Sequence, residues 1–247
     1  APGKFVGGDY PPFLIAEGGI NHQGQVTIAK ALIEMAAKAG ANAVKFQKRN
    51  VDRILCRAGL DREYNSENAF GKTYGEHKRF LELGEDSWRQ MKEHADAQGI
   101  LFTASGWDED SIDFLDNLGV PFFKMASADL TNFPLLEHTA RKGKPMVMST
   151  GMADLRTVKA AVNLVMAIEP RVILLQCTST YPAEYKDLHL NVIKAYEQEF
   201  PQCVIGYSGH EKGICVAAAS VALGAKVVER HFTLDRTMKG SDHAASL

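Results

Sequence analysis

No C-x-x-C pair occurs in the sequence, although four cysteines, Cys56, Cys177, Cys203 and Cys215, are present. Their absence from such pairs excludes the common zinc-binding and dithiol redox patterns, and their position mostly in apolar runs reads as buried packing thiols in a reducing compartment. An excess of one charge sign is missing as well. With 28 basic residues against 30 acidic ones the net charge is −2, too small for a global field that gathers nucleic acid or an anionic membrane, so any anion site must be built locally. Long hydrophobic runs are scarce: the longest, ICVAAASVALGAKVV, is broken by Gly224 and Lys226 and is too short to span a bilayer. No basic segment followed by an apolar one opens the chain at Ala1, which leaves a cytoplasmic enzyme acting on small molecules as the expectation. Nor does a G-x-G-x-x-G follow the first apolar run, which argues against a dinucleotide-binding open sheet.

Eight short β-rich runs are there instead. They are FLIAEGG from Phe13, AVKFQ from Ala43, ILFTAS from Ile100, PFFKMAS from Pro121, PMVMST from Pro145, VILLQC from Val172, VIGYSG from Val204 and KVVERHF from Lys226. Most are separated by segments with apolar residues at helical spacing, such as TIAKALIEMAAKAG, DSIDFLDNLG and TVKAAVNLVMAI, several ending in the Gly that favours a helix C-terminus. Alternating strand and helix demand parallel strands with right-handed crossovers. Eight such units in 247 residues predict a single α/β domain, a TIM (β/α)8 barrel over 1–247; a doubly wound open sheet is the alternative. A polar insertion from Lys48 to Gly84, containing GKTYGEHKR, interrupts the rhythm after the second strand and is expected on the catalytic face. After the eighth run only a short tail ending in GSDHAASL remains, so the stretch is expected to be a trimmed segment whose barrel lacks its last outer helix.

Because TIM-barrel sites are built at the C-terminal ends of the strands, the polar residues there form one candidate constellation. Glu17 ends the first strand, Lys45 and Gln47 lie on the second, Thr103 and Ser105 on the third, and Lys124 and Ser127 at the fourth. Ser149 and Thr150 end the fifth, Ser179 and Tyr181 follow the sixth, Ser208 and His210 close the seventh, and Glu229 and His231 the eighth. Side chains two apart in a strand share a face, so Lys45 with Gln47, and Glu229 with His231, point inward together. Buried charges are costly unless paired or bound to a ligand. Several cations and hydroxyl donors at one end suit a small, multiply anionic substrate such as a phosphorylated carboxylic acid. His210 and His231, at the ends of adjacent strands without cysteine partners, suggest an open metal site completed by water and substrate oxygens. Glu229 is placed to serve as a ligand, an anchor for one, or a base. His22, in NHQG, is expected to make a loop hydrogen bond, and His77, His94, His138 and His189 to lie on the surface.

The runs IAEGGINHQG, AVKFQK, FFKMASAD, MSTGM, QCTSTYP, IGYSGHE and ERHFTLDRTMKGSDHAASL, in this order over nearly the whole chain, resemble the successive signatures of the sialic acid synthase family. GKTYGEHKR and SGHE look most like its animal-type members. The resemblance implies a TIM barrel that condenses phosphoenolpyruvate with N-acetylmannosamine or its 6-phosphate, giving N-acetylneuraminate or its 9-phosphate and inorganic phosphate, with divalent manganese or magnesium as cofactor. It implies that Lys45, Thr103, Lys124, Ser127, Ser149, Ser179 and Ser208 hold phosphoenolpyruvate, that His210 and His231 are the metal ligands, and that Glu17, Gln47, Tyr181 and Asp242 bind the amino sugar. Glu229 is then the candidate to activate water and Glu17 to orient the sugar. Lys72, Lys78 and Arg79, concentrated in GKTYGEHKR, are expected to read the sugar phosphate. Family members continue into a small antifreeze-like domain, absent here, and form homodimers. Two other readings stand beside this one: a class I aldolase using Lys45 or Lys124 as a Schiff base, and a catalytically silent barrel that binds sialic-acid-like ligands.

Overall fold

All eight apolar runs are parallel strands, and the computed structural model, which describes residues 5–247, closes them into one barrel in chain order. The strands are β1 Phe13–Gly19, β2 Ala43–Lys48, β3 Leu101–Gly106, β4 Phe123–Met125, β5 Met146–Ser149, β6 Val172–Cys177, β7 Val204–Gly209 and β8 Val227–His231. Around them run α1 Val26–Lys38, α5 Glu85–Ala97, α6 Glu109–Asn117, α7 Phe133–Ala140, α8 Leu155–Met166, α9 Val192–Glu199 and α10 Cys215–Ala222. The insertion after β2 adds α2 Val51–Ile54, α3 Arg57–Asp61 and α4 Tyr74–Leu81. This is the predicted TIM barrel.

Period-2 alternation sorts each strand into two environments. Outward residues such as Val44, Phe46, Phe102 and Ala104 pack beneath Leu32, Ile33, Trp88 and Met91 of the helices in the main core. Inward residues form a second, smaller cluster of Phe13, Ile15, Ala43, Phe122, Val147, Leu175 and Val227. That cluster is an apolar floor. Two residues further along the same inward faces stand Glu17, Lys45, Lys124, Ser149, Cys177 and Glu229, all buried. Polar groups are thus stacked on an apolar layer that keeps water from reaching them from below.

Register completes the ring of charges. Glu17 pairs with Lys45 across β1 and β2 and with His231 across β1 and β8, while Ser208 pairs with Glu229 across β7 and β8. After β8 a short 3-10 turn, His243–Ala245, is followed by Leu247, whose amide donates to the carbonyl of His231 and whose carbonyl accepts from Thr233. Among the described residues no α-helix follows β8, and Leu14 on the outside of β1 is 42 % exposed.

The insertion is not the solvated polar loop its composition suggests. Tyr64, Phe70, Tyr74 and Phe80 stack with His77 or with one another at ring-centroid distances of 4.7–6.1 Å, giving this segment a small aromatic core. His77, expected on the surface, is 2 % exposed within it, and its Nδ1 accepts the amide N–H of Phe70 at 3.2 Å. A capping box between Thr73 and Glu76 starts α4. Helix α4 then abuts the loop after β1, where a Cβ on Gly24 would lie 2.3 Å from the Phe80 carbonyl oxygen. Asn68 reaches the tail, accepting the amide N–H of Gly240 at 3.1 Å. The insertion is therefore a roof tied to the loops that follow the neighbouring strands β1 and β8.

The cysteines also depart from expectation. Cys177 is buried and Cys203 partly so, but Cys56, just before α3, and Cys215, at the start of α10, are exposed.

Candidate active site

One cavity of about 260 Å3 opens at the C-terminal ends of the strands. Glu17, Lys45, Gln47, Lys124, Ser127, Ser149 and Ser179 line it, together with Tyr181, Ser208, His210, Glu229, His231 and Asp242. From the insertion Lys78 also reaches it. Thr103, Lys72 and Arg79 do not. Thr103 lies one layer down, where its hydroxyl donates to the Phe122 carbonyl at 2.6 Å, so the expected substrate contact is replaced by a structural one. Lys72 is exposed on the turn before α4, and Arg79 points to the outside of that helix, paired with Asp52. Two glycines make room for the convergence. A Cβ on Gly151 would sit 2.4 Å from Ser179 Oγ, and one on Gly19, whose φ is +51°, would crowd Asp242 and His231 at 3.0 and 3.2 Å.

Two buried ion pairs interlock on the cavity floor. Lys45 Nζ lies 2.5 Å from Glu17 Oε2 and donates to Ser105 Oγ at 3.1 Å. Lys124 Nζ lies 3.5 Å from Glu229 Oε1, which also accepts from Ser208 Oγ at 3.1 Å. An unpaired charge buried here would cost several kcal/mol, and mutual pairing is what makes the cluster tolerable. The two carboxyls nonetheless differ. Burial, reinforced by the negative charge of Glu229 and only partly opposed by Lys45, pushes Glu17 up to about 7. For Glu229 burial is outweighed by Lys124 and Lys45, which hold it well below the usual carboxylate range. Neighbouring carboxyls driven apart in this way are a feature of acid–base sites. Several floor atoms also lack a protein partner among the described residues: Glu229 Oε2, Ser149 Oγ and His231 Nδ1. Such atoms are where a ligand's oxygens and protons find partners.

The two imidazoles converge as the strand order requires, with ring centroids 5.4 Å apart and Tyr181 4.0 Å from His210. His210 Nδ1 lies 2.7 Å from the Thr178 carbonyl. A carbonyl can only accept, so that nitrogen carries the proton and Nε2 presents its lone pair. Burial pushes His231 down to about 4, with Asp242 opposing; Asp242 Oδ2 is 3.8 Å from His231 Nδ1. No group of three or more His, Cys, Asp or Glu residues able to hold a metal is assembled among the described residues. Two imidazoles alone are a donor set that would suit an open divalent site completed by substrate and water, and not a closed structural one.

Outward from these histidines a third buried ion pair fixes their backbone. Arg230 Nη1 lies 2.6 Å from Glu211 Oε1 and donates to the Gly213 carbonyl at 2.9 Å, and Tyr207 Oη donates to Glu211 Oε2 at 2.6 Å. Glu211 follows His210 and Arg230 precedes His231, so the inward imidazoles are held by an outward clamp. Sequence reasoning also passed over Arg49, buried with its guanidinium 4.9 Å from the Trp107 ring. Its spacing of two from Gln47 was the signal available.

Known proteins resemble this chain in sequence and fold. The sequence model of the NeuB family matches residues 32–247. The chain belongs to the NeuB family. Its relatives include N-acetylneuraminate-9-phosphate synthase of Homo sapiens, 52 % identical over 246 residues covering 100 % of this chain and 68 % of that protein. Another NeuB relative, N,N'-diacetyllegionaminic acid synthase of Legionella pneumophila, is 42 % identical over 95 % of this chain and 67 % of its own length. The crystal structure of N-acetylneuraminic acid (sialic acid) synthetase from Leptospira borgpetersenii, in complex with citrate, superposes with a TM-score of 0.89 at 33 % identity, covering 100 % of this chain and 82 % of that one. A truncated 3-deoxy-D-arabino-heptulosonate 7-phosphate synthase from Thermotoga maritima, at 15 % identity and a TM-score of 0.74, shares the barrel.

Proposed function

We propose that this chain condenses phosphoenolpyruvate with N-acetylmannosamine 6-phosphate to give N-acetylneuraminate 9-phosphate and inorganic phosphate. The observation that carries the reading is the meeting of the Lys45/Glu17 and Lys124/Glu229 pairs beneath two imidazoles in a single cavity, in a chain 52 % identical to a synthase of that name. The ammonium groups, with Ser149, Ser208 and Ser127, neutralise and orient the phosphate and carboxylate of phosphoenolpyruvate. Glu17, Gln47, Tyr181 and Asp242 hold the open-chain sugar with its aldehyde towards the histidines. Divalent manganese or magnesium, held by His210 and His231, would supply Lewis acidity to the aldehyde oxygen. The enol carbon C3 attacks the aldehyde carbon, forming the C–C bond and leaving positive charge at C2. Water adds at C2 and passes a proton to Glu229, whose Oε2 has no other partner among the described residues. The tetrahedral phosphate ester then collapses: the C2–O bond to phosphate breaks as the C2 hydroxyl loses its proton to become the ketone, and of the two protons that came from the added water one goes to the former aldehyde oxygen, making the new hydroxyl, and the other leaves with the phosphate. We further propose that the enzyme acts as a homodimer in the cytoplasm; no helix of the described residues is long and apolar enough to cross a membrane.

The test is phosphoenolpyruvate carrying a heavy-oxygen label at its bridging position, incubated with the 6-phosphorylated sugar and manganese. Label in the released phosphate is expected. Label retained in the sugar acid would overturn the C–O cleavage, and a lysine adduct trapped by borohydride with pyruvate would replace the proposal by a Schiff-base aldolase.

A further inference from the structure

Beside the catalytic cavity lies a larger one of about 530 Å3, and the two share a wall made of Arg49, Lys78 and Trp107. Arg49 leaves the end of β2 and stacks on Trp107; Lys78 descends from α4 of the roof with its Nζ 5.0 Å from the Tyr74 ring. Among the described residues neither side chain is hydrogen-bonded to a carboxylate, although Asp242 across the catalytic cavity acts on both. Among the described residues Lys78 has no carboxylate partner, and the carboxylate nearest Arg49, on Glu82, is 4.0 Å away and engaged by Lys48 at 2.7 Å. Burial and the charge of Arg49 push Lys78 down to about 8, with Asp242 opposing.

The acids of the larger chamber do not fill that role. Asp108 starts α6, its oxygens accepting the Ser111 amide, the Ser111 hydroxyl and the Asn50 amide at 2.9, 2.8 and 2.6 Å. Arg53 is paired with Asp110 at 2.8 Å. Glu109 and Asp129 line the chamber, where burial pushes Asp129 up to about 7.

We infer that this shared wall reads the phosphate of the acceptor sugar: the end of the sugar remote from the aldehyde passes out of the catalytic cavity, and Arg49 and Lys78 take its phosphate there. The inference rests on the proposed synthase reading and names which sugar that site prefers. Geometry fits the chemistry, since the aldehyde carbon must lie near His210 and His231 on β7 and β8, whereas the two cations enter from β2 and the roof. Lys72 and Arg79, which share the basic run with Lys78, face away from both cavities and have no part in it.

The experiment compares kcat/KM for N-acetylmannosamine 6-phosphate and for N-acetylmannosamine, by release of inorganic phosphate, in the unaltered chain and in Lys78→Gln, Lys78→Arg, Arg49→Gln and Arg79→Gln. Charge-assisted contacts to phosphate are among the stronger hydrogen bonds, so the ratio of the two values should fall about tenfold to a hundredfold in Lys78→Gln and Arg49→Gln. Lys78→Arg and Arg79→Gln should keep it. Because Arg49 also donates to Gln47, which reaches Glu17 at 3.5 Å, the ratio and not either rate alone is the readout. Should Arg49→Gln fail to fold, calorimetric affinity of Lys78→Gln for the phosphorylated sugar decides by itself. An unchanged ratio in Lys78→Gln, an equal fall in Arg79→Gln, or an unaltered chain with no preference for the phosphorylated sugar would overturn the inference. No turnover of either sugar by the unaltered chain would instead refute the synthase reading.

Discussion

Replacing Arg230 by Met tests whether the outward clamp holds the histidines. The change removes a guanidinium that is buried, pairs with Glu211 at 2.6 Å and donates to the Gly213 carbonyl at 2.9 Å. Glu211 is fully buried and keeps only the Tyr207 hydroxyl on its side chain, so its charge is left in the interior with one partner. Breaking a buried pair from one side costs about 3–5 kcal/mol. For a domain of this size each kcal/mol moves the melting temperature by roughly 2–4 °C, and a fall of about 6–20 °C is expected by scanning calorimetry. The paired change Glu211→Leu with Arg230→Met removes both charges and should recover most of that loss, because the two effects share one interaction. Activity should fall in the single variant at temperatures where it remains folded, since Glu211 follows His210 directly and Gly213 lies three residues after it. A fall of less than about 3 °C in Arg230→Met, or a double variant worse than the sum of the singles, would show that the clamp does not stabilise this end of the barrel.

His210→Ala and His231→Ala should each lower condensation at least about a hundredfold at saturating manganese while circular dichroism stays that of the folded barrel; near-normal turnover in either would remove the two-histidine site. Thr103→Val should cost about 1 kcal/mol in stability through its lost bond to the Phe122 carbonyl, with KM for phosphoenolpyruvate unchanged; a rise in that KM would return Thr103 to the substrate. His22 supplies a pH prediction. Burial, with Arg49 adding, lowers it to about 4, and its Nδ1 accepts the Gly24 amide at 3.0 Å, a bond that protonation destroys. A depressed value means stability that is complete above 6.5 and lost as pH falls towards 4, at most about 3 kcal/mol. Melting temperature should therefore drop over that window, less steeply in His22→Gln; equal slopes would refute the assignment.

Much of this arrangement is legible in the sequence. Alternation of apolar and polar residues told which side of each run faces inward, and the chain order of the runs told which ends meet, so Glu17, Lys45, Lys124 and Glu229 could be grouped correctly. Depth was not legible. Thr103 and Ser105 share a face of β3, yet only Ser105 reaches the cavity, because barrel layers are set by strand stagger, which a single strand's pattern does not contain. Helical phase within the insertion was equally hidden. Lys78 and Arg79 are adjacent in sequence but about 100° apart around α4, so one enters the cavity and the other meets Asp52. The burial of His77 depends on the rings of Tyr64, Phe70 and Tyr74, which only folding gathers around it.

Glu17 stands in register with Lys45 on one side and His231 on the other. Residues separated by almost the whole chain are thus adjacent only after β8 has docked against β1 and the ring is shut. An emerging polypeptide holding seven strands possesses both lysines and one imidazole, yet neither the second imidazole nor Glu229. Catalytic competence and topological closure are consequently the same event in this protein, and any agent that pries β1 from β8 extinguishes the chemistry at the moment it opens the barrel.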